Sequence, residues 1–78
     1  MVRSKEAILR DLLSAATEKV NKTTIMYRAN LSYSQLVEHL TYLIEREMII
    51  KQDGQYVASE KGRAYVNAYQ RMLEIIAN

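Results

Sequence analysis

The dipeptide Asp53-Gly54 constrains the fold more than any other feature of this sequence. Asp-Gly is strongly favoured in two-residue type I′ turns, because both central positions of such a turn have positive φ. Short runs rich in β-forming residues lie on each side, so the sequence predicts a β-hairpin over residues 48–58. The register that such a turn sets pairs Ile49 with Ala58, Ile50 with Val57, and Lys51 with Tyr56. One face of the hairpin is expected to cover a core, and the other also carries apolar residues.

Outside the hairpin, the composition favours helices. The 78 residues include no proline, only two glycines and 49% hydrophobic side chains. A chain of this size is expected to form one domain, residues 1–78, near the lower limit at which a hydrophobic core holds a fold together. Because cysteine is absent, neither disulfides nor thiolate metal sites can add stability. We therefore expect a mainly α domain with one small β-hairpin.

Two of the helices begin at clear capping residues. Ser4 can cap a first helix over residues 4–16, whose apolar residues recur at three- and four-residue spacing. A third helix over residues 32–46 begins with a capping box, in which the Ser32 hydroxyl and the Gln35 side chain each bond a free backbone amide. Both helices are therefore predicted with one apolar face, and that of the first consists of Ile8, Leu9, Leu12, Leu13 and Ala16.

The second helix, residues 24–29, is predicted to be short. Thr23 or Thr24 can cap it, and the mostly polar segment 17–22 is predicted to connect it to the first helix. Asn30 suits its end, because asparagine tolerates the left-handed conformation found there. Two helices that are separated by a tight turn have the layout of a helix-turn-helix.

The third helix is predicted to have one buried and one polar face. At about 100° per residue, the buried face would comprise Tyr33, Leu36, Leu40, Leu43 and Ile44, with Val37 at its margin. The polar face would comprise Ser34, Gln35, Glu38, Tyr42 and Glu45. Tyr33 is thus predicted to be a core residue. His39 lies at the edge of the apolar face and is predicted to have one side packed.

The last helix, residues 59–77, is capped by Ser59 and has more apolar surface than a small domain can cover. Its apolar arc spans roughly half of the circumference. This excess predicts a homodimer that forms through the last helix. The predicted interface consists of Tyr65, Tyr69, Met72, Leu73 and Ile76.

Catalysis is not expected. The chain has no cysteine, so no Cys-His pair can be formed. His39 is the only histidine, so no two-histidine metal motif can be formed and a Ser-His arrangement would depend on His39 alone. The two glycines do not make a phosphate-binding loop. We predict no catalytic residue, no metal site and no cofactor. Apolar runs are too short to cross a bilayer, and charges interrupt the N-terminal segment, so a cytoplasmic protein without a membrane partner is expected.

Binding to double-stranded DNA is the leading functional hypothesis. The second helix of a helix-turn-helix can lie in the major groove with its N-terminal side chains at the base edges. The predicted base contacts are Ser34, Gln35, Glu38 and Tyr42, and the predicted phosphate contacts are Lys22, Arg28 and Lys51. The chain has 11 basic and 9 acidic residues, a balance that permits nucleic-acid binding without requiring it.

Several of these residues also have simpler explanations. Capping alone accounts for Gln35, and Glu38 would be repelled by phosphates and can be a solvated helix residue. The third helix has no lysine or arginine before Arg46. The alternative hypothesis is therefore a protein-interaction module that does not bind DNA.

Three segments, residues 24–33, 40–45 and 59–63, resemble in combination the small archaeal winged-helix DNA-binding proteins, which include predicted transcription regulators and dimeric chromatin-associated proteins. The resemblance extends from about residue 5 to residue 75. It implies a winged helix-turn-helix with the order α-α-α-β-β-α and the third helix as recognition helix. It also implies dimerisation through the last helix, often as an antiparallel coiled coil. Such proteins usually have glycine at the position of Glu47, so the exit of the third helix is expected to differ or the helix to extend.

Overall fold

A computed structural model describes residues 2–77, so the two ends of the predicted 1–78 domain lie outside the described residues. The order of elements is the predicted one, four helices with a two-stranded antiparallel hairpin before the last helix. The elements are α1 (Lys5–Ala15), α2 (Lys22–Ala29), α3 (Tyr33–Glu45), β1 (Ile49–Gln52), β2 (Gln55–Ala58) and α4 (Glu60–Ala77).

Helix α1 lies at the centre of the fold and contacts α2, α3, α4 and β2. Its apolar face is the predicted one, and Leu12 and Leu13 are fully buried. Every other element except α4 contributes apolar side chains to the same core. From α4, Tyr65 and Val66 pack against its edge. The large side chains with the least exposure are Leu12, Leu13, Ile25, Leu36, Leu43 and Ile49.

The start of α2 differs from the prediction. Asn21, and neither Thr23 nor Thr24, is the capping residue, and its side-chain oxygen accepts a hydrogen bond from the Thr24 amide at 2.8 Å. Asparagine is at least as good a capping residue as threonine, so the cap forms at the first position that offers one. Lys22 consequently belongs to the helix and not to the connection.

The connection between α1 and α2 is also more ordered than a polar loop. Val20 is buried and forms a β-bridge with Tyr56, with backbone bonds of 3.0 and 2.8 Å in the two directions. The Ala58 amide adds a bond to the Ala16 carbonyl oxygen at 2.7 Å. These bonds attach β2 to the end of α1.

The hairpin has the predicted register and turn. Asp53 and Gly54 have φ angles of 54° and 74°, as a type I′ turn requires. The face with Ile49, Tyr56 and Ala58 covers the core. The other face is turned outward, and its Ile50 is 49% exposed.

Helix α3 ends at Glu45 and does not extend. Glu47 adopts a left-handed conformation with φ of 60°, at the position where the resemblance leads us to expect glycine. The Glu47 amide bonds the Ile44 carbonyl oxygen at 3.0 Å, and the Met48 amide bonds that of Leu43 at 2.9 Å. This pair of bonds is the Schellman motif, which closes a helix when one residue turns left-handed.

Candidate nucleic-acid interface

The turn between α2 and α3 is tight, and α2 ends at its cap residue Asn30, as predicted. Asn30 is left-handed, with φ of 54°, and its amide bonds the Tyr27 carbonyl oxygen at 3.2 Å. The next amide, that of Leu31, bonds the Met26 carbonyl oxygen at 3.0 Å, and the Leu31 side chain is buried. Ser32 and Gln35 then form the predicted capping box of α3. The two helices are therefore connected by a tight turn in which backbone hydrogen bonds and a capping box satisfy both helix ends.

The side chain of Arg3 connects this turn to α1 through hydrogen bonds and an ion pair. Its guanidinium donates to the carbonyl oxygens of Ala29 and Asn30, each at 2.7 Å, and pairs with the Asp11 carboxylate at 2.8 Å. The two carbonyl groups lie at the negative end of the α2 dipole, where a cation is favourable. Nothing in the sequence around Arg3 predicts this contact, because its acceptors lie far along the chain.

The buried face of α3 is rotated from the predicted one by about 40° around the helix axis. His39 is buried together with Leu36, Leu40 and Leu43, whereas Tyr33 is 63% exposed. The prediction of Tyr33 as a core residue is therefore wrong. It assumed that the apolar face is centred on the aliphatic residues alone, and the packed histidine moves that centre away from Tyr33. The rotation also leaves Val37 exposed.

The predicted base-contacting residues differ in whether their polar groups are exposed and without a hydrogen-bond partner among the described residues. Ser34 and Glu38 are exposed on the outward face of α3. Gln35 is exposed as well, but its carboxamide oxygen lies 3.1 Å from the Ser32 amide and 3.2 Å from the Ser32 hydroxyl. A bidentate contact from Gln35 to adenine needs that oxygen, so it would require the capping box to open.

Tyr42, the fourth of these residues, is half-buried and lies against two cations. The Lys5 ammonium is 4.0 Å from the centroid of its ring, and the Arg46 guanidinium carbon is 3.6 Å from it. Cations at such distances are attracted to the face of an aromatic ring. Tyr42 therefore holds two positive charges beside the C-terminal half of α3. These two cations were not among the predicted site residues, although the i, i+4 spacing of Tyr42 and Arg46 was a possible signal.

The predicted phosphate contacts fall into two groups. Lys22 at the start of α2 and Lys51 on β1 are exposed, and the Lys51 ammonium lies 5.9 Å from the ring centroid of Tyr56. Arg28 instead bonds the Ala15 carbonyl oxygen at 3.3 Å and pairs with Glu18 at 3.6 Å. Its guanidinium is thus occupied at the end of α1.

The predicted dimer surface on α4 has a packed half and an open half. The Tyr65 hydroxyl donates to the Glu6 carbonyl oxygen at 2.8 Å, and the Arg10 guanidinium carbon lies 4.7 Å from the centroid of the Tyr69 ring. Burial raises the pKa of the Tyr65 phenol above its ordinary value, and the Glu6 carboxylate adds to this shift. Toward the C-terminus the same helix exposes four large apolar side chains, those of Met72, Leu73, Ile75 and Ile76.

Within residues 2–77, no group of three or more histidine, cysteine or acidic side chains could hold a metal ion. No helix in this part of the chain is long and apolar enough to cross a membrane.

The sequence matches the winged helix-turn-helix family over residues 2–77. It is 33% identical over 75 residues to the uncharacterized protein MJ0290 of Methanocaldococcus jannaschii, and the match covers 95% of this chain but only 36% of that protein. The fold is similar to that in the crystal structure of Sso10a-2, a DNA-binding protein from Sulfolobus solfataricus, with a TM-score of 0.83, 22% identity, and coverage of 97% of this chain and 84% of the other. Both are archaeal proteins, which confirms the resemblance inferred from the sequence. The chain belongs to the winged helix-turn-helix family.

Proposed function

We propose that the protein binds double-stranded DNA as a homodimer, as a transcriptional regulator or an architectural protein, with α3 in the major groove. The observation that carries this proposal is the exposed outward face of α3, directly after the tight turn at Asn30. A recognition helix has this position in helix-turn-helix proteins. Sso10a-2, which shares the fold, is a DNA-binding protein.

Cations near this face supply the phosphate contacts that we propose. Lys22 and Lys51 are exposed, and neither has an acidic partner among residues 2–77. Lys5 and Arg46 join them, because Tyr42 holds both at one end of α3. Arg28 makes a smaller contribution, since Glu18 and the end of α1 already occupy its guanidinium.

The open half of α4 supplies the dimer contact that we propose. Ile76 is 70% exposed, and Met72 and Leu73 are exposed on the same side of the helix. Contiguous exposed apolar surface of this kind marks interaction sites in small proteins. Tyr65 and Tyr69 form its inner edge, where they already pack on α1. A two-fold axis at α4 would present two copies of α3 to half-sites about 34 Å apart, or a multiple of that distance.

The salt dependence of DNA binding tests the phosphate contacts. We expect the affinity for a duplex, measured by fluorescence anisotropy, to fall steeply with added salt. In the proposed dimer, Lys22→Gln and Lys51→Gln each remove two phosphate contacts, one from each protomer, so each should reduce the magnitude of the slope of log K against log salt by about 1.8. Arg71→Gln, on the polar face of α4, removes the same charge and should leave the slope unchanged. An affinity that does not respond to salt would contradict the proposal.

The mass in solution tests the dimer. Tyr69→Glu combined with Leu73→Glu is expected to give a monomer in light scattering, because both carboxylates would be buried in the proposed interface. Asn67→Glu combined with Arg71→Glu has the same spacing on the polar face and should leave the mass unchanged. Leu73→Glu alone, with circular dichroism to verify folding, avoids the Tyr69 contact with α1. A mass that stays constant in all three variants would exclude this interface.

A protein-interaction module without DNA binding is the second candidate. The outward Ile50 of the hairpin favours it, as do Glu38 and Glu45, which place two carboxylates on the exposed face of α3. If no duplex binding is detectable at low salt while the folded dimer persists, this candidate replaces the first. If binding is detected, selection of bound DNA from a random library separates the two DNA-binding roles, since only a sequence-reading regulator enriches a motif.

A further inference from the structure

One edge of α3 presents a row of side chains with little charge and much methyl and ring surface. Tyr33, Val37 and Thr41 follow each other at four-residue spacing, so they lie side by side along the helix. All three are exposed, and Val37 is 39% exposed in spite of its apolar side chain. The buried face of α3 includes His39 on one flank, and the row lies beyond its other flank, at the surface.

The remaining exposed residues of α3 limit which bases the helix can read. Guanine is most often read by arginine or lysine, and α3 contains neither. Adenine is read by the carboxamide of asparagine or glutamine, and the Gln35 oxygen is occupied in the capping box. Glu38 can accept a hydrogen bond from cytosine, but as a carboxylate it is also repelled by the phosphates on both sides of the groove. Ser34 is also exposed, but a serine hydroxyl can bond a donor or an acceptor and so does not select one base.

Thymine is the base that the methyl and ring surface of the row can distinguish. It is the only one of the four bases with a methyl group in the major groove, and threonine methyls and other apolar side chains contact this group. The cations Lys5 and Arg46 are held by Tyr42 at the opposite edge of the exposed face of α3, where they are suited to contact phosphates while the row faces the bases.

We propose that the Tyr33–Val37–Thr41 row of α3 gives the protein a preference for thymine through the C5-methyl group, with Val37 and Thr41 making the contacts. This inference rests on the proposed DNA binding and adds to it the class of base that is recognised.

Replacing thymine by deoxyuridine tests the inference, because it removes the methyl group and leaves every hydrogen-bonding group of the base in place. The probes are two duplexes of about 30 base pairs, long enough for two half-sites one helical turn apart, with identical mixed sequence except for this replacement. Anisotropy titrations of the full chain are run with both duplexes at two salt concentrations. We expect the deoxyuridine duplex to bind about fourfold more weakly for each methyl group that the protein buries.

Variants then assign the effect to the two residues. Val37→Ala and Thr41→Ser each remove methyl groups and retain a helix-compatible side chain, so both should fold. Together they should bring the affinity ratio of the two duplexes close to one. Thr17→Ser, in the connection between α1 and α2, removes the same methyl group from another exposed threonine and should retain the wild-type ratio.

Three results would overturn the inference. Equal affinity of the wild type for both duplexes excludes methyl recognition while leaving DNA binding in place. A methyl effect that persists in the double variant excludes these two residues. Absence of binding to either duplex removes the proposed function and the inference with it.

Discussion

The hydroxyl group of Ser59 donates a hydrogen bond to the backbone carbonyl oxygen of Glu47 at 2.7 Å. The same hydroxyl accepts a bond from the Gly62 amide at 3.1 Å and so caps α4. One side chain thus joins the left-handed exit of α3 to the first turn of α4. Since α3 carries the candidate recognition face and α4 the candidate dimer face, this junction contributes to how the two are oriented to each other, together with the packing of α4 on α1.

Glu47→Gly should stabilise the protein. A residue with a Cβ atom is strained at φ of 60°, whereas glycine adopts this conformation freely. Allowing for the greater entropy of glycine in the unfolded chain, we expect a gain of roughly 0.5–1 kcal/mol and a melting temperature a few degrees higher by circular dichroism. Glu45→Gly removes the same charge two residues earlier, inside the helix, and should lower the melting temperature. A Glu47→Gly variant that melts no higher than wild type would show that the strain is relieved elsewhere.

Gly62→Ala should destabilise the protein although alanine is the better helix former by about 1 kcal/mol. A Cβ at this position would overlap the Met48 carbonyl oxygen and lie 2.9 Å from Cδ2 of Leu13. We expect a net loss of about 1–3 kcal/mol in urea unfolding, typical of overpacking. Asn67→Ala, at an exposed position of the same helix, should instead be neutral or slightly stabilising. Equal stability of the Gly62→Ala variant and the wild type would show that α4 can move away from the hairpin.

Tyr65→Phe should lower the free energy of unfolding at neutral pH and change how this free energy depends on pH in the alkaline range. The variant loses the hydrogen bond to Glu6, a loss of about 1 kcal/mol. Because the folded state raises the pKa of the phenol, its contribution is present below pH 10.0 and is lost as the pH rises through the folded-state pKa. The free energy of unfolding in urea is measured for both proteins at neutral pH and at a pH about half a unit above the ordinary tyrosine pKa. We expect the difference in this free energy between variant and wild type to be smaller at the higher pH. Tyr27→Phe, at a side chain that is 76% exposed, is the control and should show little difference at either pH.

Arg3→Met should destabilise the turn between α2 and α3, so that it opens more often. Methionine retains much of the apolar stem but removes the guanidinium that bonds Ala29, Asn30 and Asp11. Charge-assisted bonds of this kind are each worth about 1.5–3 kcal/mol, of which solvation of the exposed carbonyl groups returns a part. We expect faster amide hydrogen exchange at Asn30 and Leu31 than in wild type. Arg71→Met, on α4, should leave exchange at these amides unchanged, and unchanged exchange in Arg3→Met would show that the turn is rigid without the guanidinium.

Features that depend on neighbouring residues were predictable from the sequence. The capping box of Ser32 and Gln35 and the turn at Asp53-Gly54 each depend on groups within a few residues of one another, and both occur as predicted. The hairpin register follows from the turn alone, so the pairing of Ile50 with Val57 was also predictable.

Features that depend on tertiary packing were not predictable in this way. The bridge between Val20 and Tyr56 joins segments whose proximity only the complete fold creates. The burial of His39 is a packing outcome as well, and through it the orientation of α3 differed from that predicted from aliphatic periodicity. The third helix was therefore predicted at its observed place in the fold, but Tyr33 was assigned to the wrong face of it.

The bridge from Val20 to Tyr56 has a consequence for self-association of the folded protein. It satisfies the outer backbone groups of Tyr56 in β2, so that side of the ribbon cannot accept a strand from another molecule. The opposite side, along β1, has no backbone partner among residues 2–77, and open strand edges promote aggregation. Lys51 lies on that strand, and lysine is one of the residues that deter such pairing. The charge of Lys51 therefore disfavours the pairing of hairpins from neighbouring copies into a continuous sheet, an effect that does not depend on any ligand.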